Sequence, residues 1–106
     1  MYNVSVMDVY GAIADPTRRR MLDLLSARPM PATTLAEEFA VSQPAVSRHL
    51  RALREAGLVS VSGQHTDGRV RLYRVDPRPL RDVERWLASF WQGQLDAFAA
   101  YVRERS

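Results

Sequence analysis

Residues 42–54 read Ser-Gln-Pro-Ala-Val-Ser-Arg-His-Leu-Arg-Ala-Leu-Arg, a run that sets hydrogen-bonding side chains among regularly spaced aliphatic ones. Gln43 carries an amide that pairs bidentately with adenine, Arg48 a guanidinium that pairs with guanine, and Ala45 a methyl that suits the thymine methyl. Ser47 and His49 suit phosphate oxygens, which position a reader without specifying sequence. Arg51 and Arg54 add positive charge to the same run, and His65, Arg69 and Arg71 form a second basic group downstream. Acid–base or nucleophilic catalysis is a poor fit. Ser47 and His49 are near neighbours on one helix and do not face each other as a nucleophile and base must. No glycine-rich phosphate loop or His/carboxylate metal set is present. The chain has no cysteine, which excludes disulfides, thiolate metal sites and cysteine nucleophiles. No metal and no cofactor is expected.

The charge distribution favours a polyanionic partner. All fifteen basic side chains apart from the two histidines are arginine, and the net charge is +3. Residues 1–41 hold four Arg against five acids, residues 42–75 six Arg against two, and residues 76–106 five of each. The excess sits in the middle third, where a polyanion-binding face would have it. A length of 106 residues fits one domain, spanning 1–106. No apolar run approaches the ~18 residues of a membrane span. The start, Met1 to Asp8, lacks the basic and apolar regions of a signal peptide, so a soluble cytoplasmic protein with no membrane partner is expected.

Five helices and a hairpin must position these groups. Val4, Val6, Met7, Val9, Tyr10 and Ile13 are too densely apolar for a one-sided surface helix, and predict a helix over about 4–13 that is covered on much of its circumference. Asp15-Pro16 is an N-cap followed by a first-turn proline, and opens a helix to about Ala27 with Met21, Leu22, Leu24 and Leu25 inward. Arg18-Arg19-Arg20 reads as surface charge near that start or as a secondary phosphate contact. Thr34-Leu35-Ala36-Glu37 has capping-box spacing and predicts a short helix through about Phe39. Ser42 opens the next helix, to about Ala56, with Val46, Leu50 and Leu53 as its apolar stripe and Gly57 as C-cap. A short helix, a tight turn and a longer helix make a helix-turn-helix. His49 lies beside the stripe and also reads as a partly buried, satisfied histidine. The alternation Val59-Ser60-Val61-Ser62, a polar glycine-flanked loop and a second strand over 69–75 predict a hairpin. A last helix, about 80–103, repeats apolar residues every three or four positions.

A helix-turn-helix followed by a hairpin is a winged helix: a mainly α fold with a small β-hairpin. Its recognition helix would enter the major groove by its first turns, with free N–H groups from Ser42 onward available to a phosphate. Leaving Trp86, Phe90, Trp91, Leu95 and Phe98 in water would forfeit several kcal/mol, since each buried side chain of this kind is worth roughly 1.5–3 kcal/mol. One small domain cannot cover these together with Val6, Val9 and Tyr10. The first and last helices are therefore expected to dimerise the chain across a two-fold axis. An effector pocket lined by the same aromatics is the alternative use of that face.

The order of motifs carries a resemblance. Asp15-Pro16-Thr17-Arg18-Arg19-Arg20, Leu35-Ala36-Glu37, Ser42-Gln43-Pro44-Ala45-Val46-Ser47-Arg48-His49-Leu50 and Leu53-Arg54-Glu55-Ala56-Gly57-Leu58-Val59 closely resemble the ArsR family of bacterial winged-helix repressors over about residues 8–76. The resemblance implies a homodimer on a partly palindromic operator, with Gln43, Pro44, Ser47, Arg48 and His49 at the DNA and the hairpin as wing. The metal sites of well-known members use cysteines, or Asp/His sets on the C-terminal helix. This chain departs from both patterns, and its aromatic segment Trp86–Trp91 looks more like the non-metal branches, autorepressors included. Any small-molecule effector is left unspecified. The competing readings are a protein–protein interaction module of the same fold and a non-specific DNA-binding protein.

Overall fold

Two aspartates start the first two helices. In the computed structural model, which describes residues 8–62 and 71–105, Asp8 Oδ1 accepts the Gly11 backbone N–H at 2.8 Å and caps α1, Val9–Ile13. This cap fixes the first turn of α1 at Val9; residues 4–7 of the expected helix lie outside the described residues. Asp15 Oδ1 accepts the N–H groups of Thr17 at 2.8 Å and Arg18 at 3.1 Å, and Pro16 opens α2, Pro16–Ala27, as expected.

After α2 the chain forms a contact that the sequence did not announce. Met30 pairs with Tyr73 in an antiparallel bridge, donating to the Tyr73 carbonyl at 3.1 Å and accepting from its N–H at 2.9 Å. Met30 stands between Pro29 and Pro31, neither of which has an N–H, so the pairing stops at one residue. Pro31 leaves this bridge in an extended conformation and becomes the N-cap of α3, Ala32–Ala36, without a side-chain cap. The expected capping box at Thr34 is not used. Glu37 stands at the end of the helix, with its N–H directed to the Thr33 and Thr34 carbonyls. The bridge anchors the chain so close to α3 that the first turn forms three residues earlier than the capping box would place it.

A turn leads to α4, Gln43–Glu55, where Ser42 Oγ accepts the Ala45 N–H at 3.3 Å. Its end is a Schellman motif. Leu58 N–H donates to the Leu53 carbonyl at 2.9 Å and Gly57 N–H to the Arg54 carbonyl at 3.0 Å. Gly57 sits at φ 79°, a left-handed conformation that glycine adopts without a Cβ penalty. The apolar contact that accompanies the motif is present, since Leu53 and Leu58 are both fully buried. Strands β1, Val59–Ser62, and β2, Leu72–Val75, pair antiparallel with Val59 opposite Val75 and Ser62 opposite Leu72. The second strand begins later than its expected residue 69; residues 69 and 70 lie outside the described residues.

The core joins Met21, Leu22 and Leu25 of α2, Leu35 of α3, Val46, Leu50 and Leu53 of α4, and Leu58 and Val59. Among the described residues it contains no buried polar or charged side chain. The last helix, α5, spans Leu80–Arg105, and only Val83 in it is buried. At 1.5 Å per residue its 26 residues extend roughly 39 Å. The molecule is accordingly elongated, 67 × 33 × 27 Å, with a radius of gyration of 18.8 Å, against roughly 13 Å for a compact domain of this length.

Two outcomes follow from these contacts. Leu53→Ala should lower unfolding free energy by about 2–5 kcal/mol in a denaturant titration; a smaller loss would mean the α4 stripe is not a packed part of the core. The second concerns Asp15. The Arg18 backbone N–H, the Thr17 N–H and the Arg18 guanidinium hold its carboxyl below the ordinary value, partly opposed by burial. A lowered native pKa contributes stability that is present above the unfolded value and lost as pH falls through the native one. Asp15→Asn should therefore flatten the acid limb of stability against pH, and an unchanged limb would show that the cap carries no linked charge.

Candidate nucleic-acid interface

The recognition candidate is the side of α4 that the core does not use. Val46, Leu50 and Leu53, spaced four and three apart, are each at most 1% exposed, which fixes the rotation of the helix about its axis. Gln43, Pro44, Ser47, Arg48, Arg51, Arg54 and Glu55 are exposed, and Ala45 and His49 are half-buried on the flank. At about 100° per residue, Arg48 and Arg51 lie opposite the buried stripe. Among the described residues no protein group hydrogen-bonds to or ion-pairs with the side chains of Gln43, Ser47, Arg48, Arg51 or Arg54. Five polar side chains on one helix face are thus uncommitted among the described residues. Ser42 is exposed at the helix entry, its Oγ already used as the cap.

The hairpin adds Arg71, exposed just before β2, and Arg74, exposed within it. His65 and Arg69, the other expected wing residues, lie outside the described residues, as does Val6 of the expected dimer face. His49 is less free than its neighbours: its Nδ1 lies 3.3 Å from a terminal nitrogen of Arg18. Arg18 is the residue that sequence reasoning placed incorrectly. Its side chain is 14% exposed and is bonded inside the molecule, so it is neither surface charge nor a phosphate contact. The signal was available, because Arg18 precedes Leu22 by four and Leu25 by seven, which puts it on the buried face of α2.

The second notable surface is α5. Trp86, Leu87, Phe90, Trp91, Leu95, Phe98, Tyr101 and Val102 are between 42% and 65% exposed. Tyr10 of α1 joins them through an edge-to-face contact with Trp86 at 5.7 Å, followed by Trp86–Phe90 at 5.1 Å and Phe90–Trp91 at 6.4 Å. The Tyr10 hydroxyl donates to the Asp82 backbone carbonyl at 3.3 Å. Val9 departs from the expectation: it belongs to the core of its own chain and offers no surface to a partner, because α1 turns it toward α2 and α4. Leu87, Tyr101 and Val102 extend the face beyond the residues expected.

Residues 13–62 match the family model described as a helix-turn-helix domain. The transcriptional repressor SdpR of Bacillus subtilis (strain 168) is 39% identical over 83 residues, 78% of this chain and 89% of the relative. A solved ArsR-like transcriptional regulator from Rhodococcus sp. RHA1 superposes with TM-score 0.71 at 30% identity, covering 91% of this chain and 88% of that one. A solved possible transcriptional regulator for arsenical resistance superposes with TM-score 0.69 at 42% identity, covering 90% and 96%. The chain belongs to the ArsR family of winged helix-turn-helix regulators. It is a DNA-binding transcriptional regulator, not an enzyme. In ArsR-family terms α3 and α4 are the helix-turn-helix and the hairpin is the wing. No helix among the described residues is long and apolar enough to cross a membrane.

Because the Arg48 side chain has no partner among the described residues, Arg48→Ala should leave unfolding free energy within about 0.5 kcal/mol of the parent. A larger loss in thermal or denaturant unfolding would assign Arg48 to the scaffold instead of the interface.

Proposed function

We propose that this ArsR-family protein is a sequence-specific repressor that acts as a homodimer on a partly palindromic operator. The observation that carries the reading is the uncommitted face of α4, with Gln43, Ser47, Arg48 and Arg51 exposed while Val46, Leu50 and Leu53 hold the helix from behind. Gln43 and Arg48 read base edges, Ala45 contacts a thymine methyl, and Ser47, His49 and Arg51 meet phosphates. The wing residues His65, Arg69 and Arg71 follow the backbone or the adjacent minor groove. Supporting the dimer is the aromatic face of α5 with Tyr10, which a monomer leaves wet over a far larger area than isolated surface apolar residues would. A two-fold axis along that face presents two copies of α4 to successive major grooves about 34 Å apart.

Regulation by a soft transition metal fits this chain poorly. It has no cysteine, and its two histidines are His49, already facing Arg18, and His65 in the wing loop. A protein that reads the chromosome works in the cytoplasm of a bacterium, and that is the location we assign.

Selection of bound sequences from random duplex DNA tests the reading directly. An inverted repeat should emerge, with half-sites about 10 bp apart centre to centre. Arg48→Ala should weaken binding to it by about 1–3 kcal/mol and relax preference at one position per half-site. Phe90→Asp should sediment as a monomer and lose most operator affinity. Enrichment of no motif, with equal binding to all duplexes, would favour the non-specific reading; absence of duplex binding at moderate salt would favour a protein–protein module.

A further inference from the structure

We propose that Arg18 is a positioning residue for DNA recognition, fixing both the placement of α4 and the tautomer of His49. The inference rests on α4 being the DNA-reading helix. The Arg18 guanidinium makes three contacts to two elements beyond its own. Its Nε donates to the Ala12 carbonyl at 2.8 Å and one terminal nitrogen to the Gly11 carbonyl at 3.0 Å, both at the end of α1. The other terminal nitrogen reaches His49 Nδ1 on α4 at 3.3 Å and lies 3.9 Å from Asp15 Oδ2 at the start of α2. One planar fork therefore ties together the end of α1, the cap of α2 and the middle of α4. Arg19 adds a third bond to α1, from a terminal nitrogen to the Ile13 carbonyl at 2.6 Å.

The His49 contact has a chemical consequence. A guanidinium is donor only, so Nδ1 must accept, and the neutral ring must then carry its proton on Nε2. Among the described residues no protein group bonds to that Nε2, and the ring is half-exposed on the flank of the reading face. Arg18 thereby presents Nε2–H as a donor of fixed direction, the form a phosphate oxygen requires. Lysine would not substitute, since one ammonium cannot span the α1 carbonyls and the imidazole as a planar fork does.

Nitrogen NMR of the histidine rings, at a pH where they are neutral and without DNA, reads the first half. The wild-type His49 ring should carry its proton on Nε2, and its Nδ1 resonance should be shifted by an accepted hydrogen bond and return to that of a free imidazole in Arg18→Lys. A wild-type ring protonated on Nδ1, or with a free-imidazole Nδ1 signal, overturns the proposal without touching the repressor reading. Operator titration reads the second half. Arg18→Lys and His49→Ala should each weaken binding to the selected operator roughly tenfold, and the double variant no further than the weaker single. Binding to random duplex should weaken by a similar factor in both single variants, because a phosphate contact is independent of sequence. Additive losses in the double variant, or wild-type operator affinity in Arg18→Lys, would sink it. Failure of the wild type itself to select any sequence would instead remove the reading on which the proposal stands.

Discussion

The rotational setting of α4 is the constraint from which the rest of the molecule follows. Three aliphatic side chains, Val46, Leu50 and Leu53, are withdrawn from water almost completely. A turn of about 100° about the helix axis would exchange them for polar neighbours and drive an arginine toward the interior. Burying an unpaired guanidinium costs several kcal/mol, so that alternative is closed. The ends are fixed as firmly as the rotation. Ser42 terminates the helix on one side and the Gly57 Schellman turn on the other, and Leu58 returns the chain directly to the core. What faces outward is therefore decided by what packs inward.

Two surfaces of opposite character result. The α4 face carries polar and cationic groups with no acceptors among the described residues, and it is hydrated at little cost. The α5 face carries large apolar groups, and its hydration is costly. α1 connects the two physically: Tyr10 reaches Trp86 and the Asp82 carbonyl of α5, while the carbonyls of Gly11 and Ala12 receive Arg18, which in turn meets His49. A five-residue helix has little stability of its own. Its placement depends on these contacts at both ends.

Local signals in the sequence were legible and distant ones were not. Asp15-Pro16 and Ser42 act within a turn of themselves, and both caps form as expected. The stripe at 46, 50 and 53 and the alternation at 59–62 are periodicities within one element, and both survive in the fold. Thr34 to Glu37 obeys the capping-box pattern equally well, yet the Met30–Tyr73 bridge, between residues remote in sequence, starts α3 at Ala32 instead. Asp8 caps α1 one residue before Val9, a signal that apolar density alone does not carry. Apolar density shows that much of α1 is covered but not by which chain; the helix divides its apolar residues, with Val9 inward in its own core and Tyr10 outward. On α4 itself the exposed residues expected at the DNA were recoverable from periodicity, since exposure there is the complement of the stripe.

Arginine shows why residue type alone could not complete the picture. With every strongly basic side chain an arginine, composition gives no means of separating scaffold from interface. Arg18 and Arg48 are chemically identical. They differ in the acceptors around them. Arg18 lies where α1 ends, and the last carbonyls of a helix have no intrahelical donors and carry partial negative charge. Its fork reaches the Ala12 carbonyl and the Gly11 carbonyl, the latter shared with the Ala14 N–H, with the Asp15 carboxylate and a ring nitrogen nearby, so its bonding capacity is taken up within the fold. Arg48 projects from the middle of α4, where every carbonyl nearby is engaged by the helix, and its five donors remain for a partner. A guanidinium presented in that way is matched by a guanine edge or a phosphate, whose acceptors come in pairs at a spacing that the fork spans.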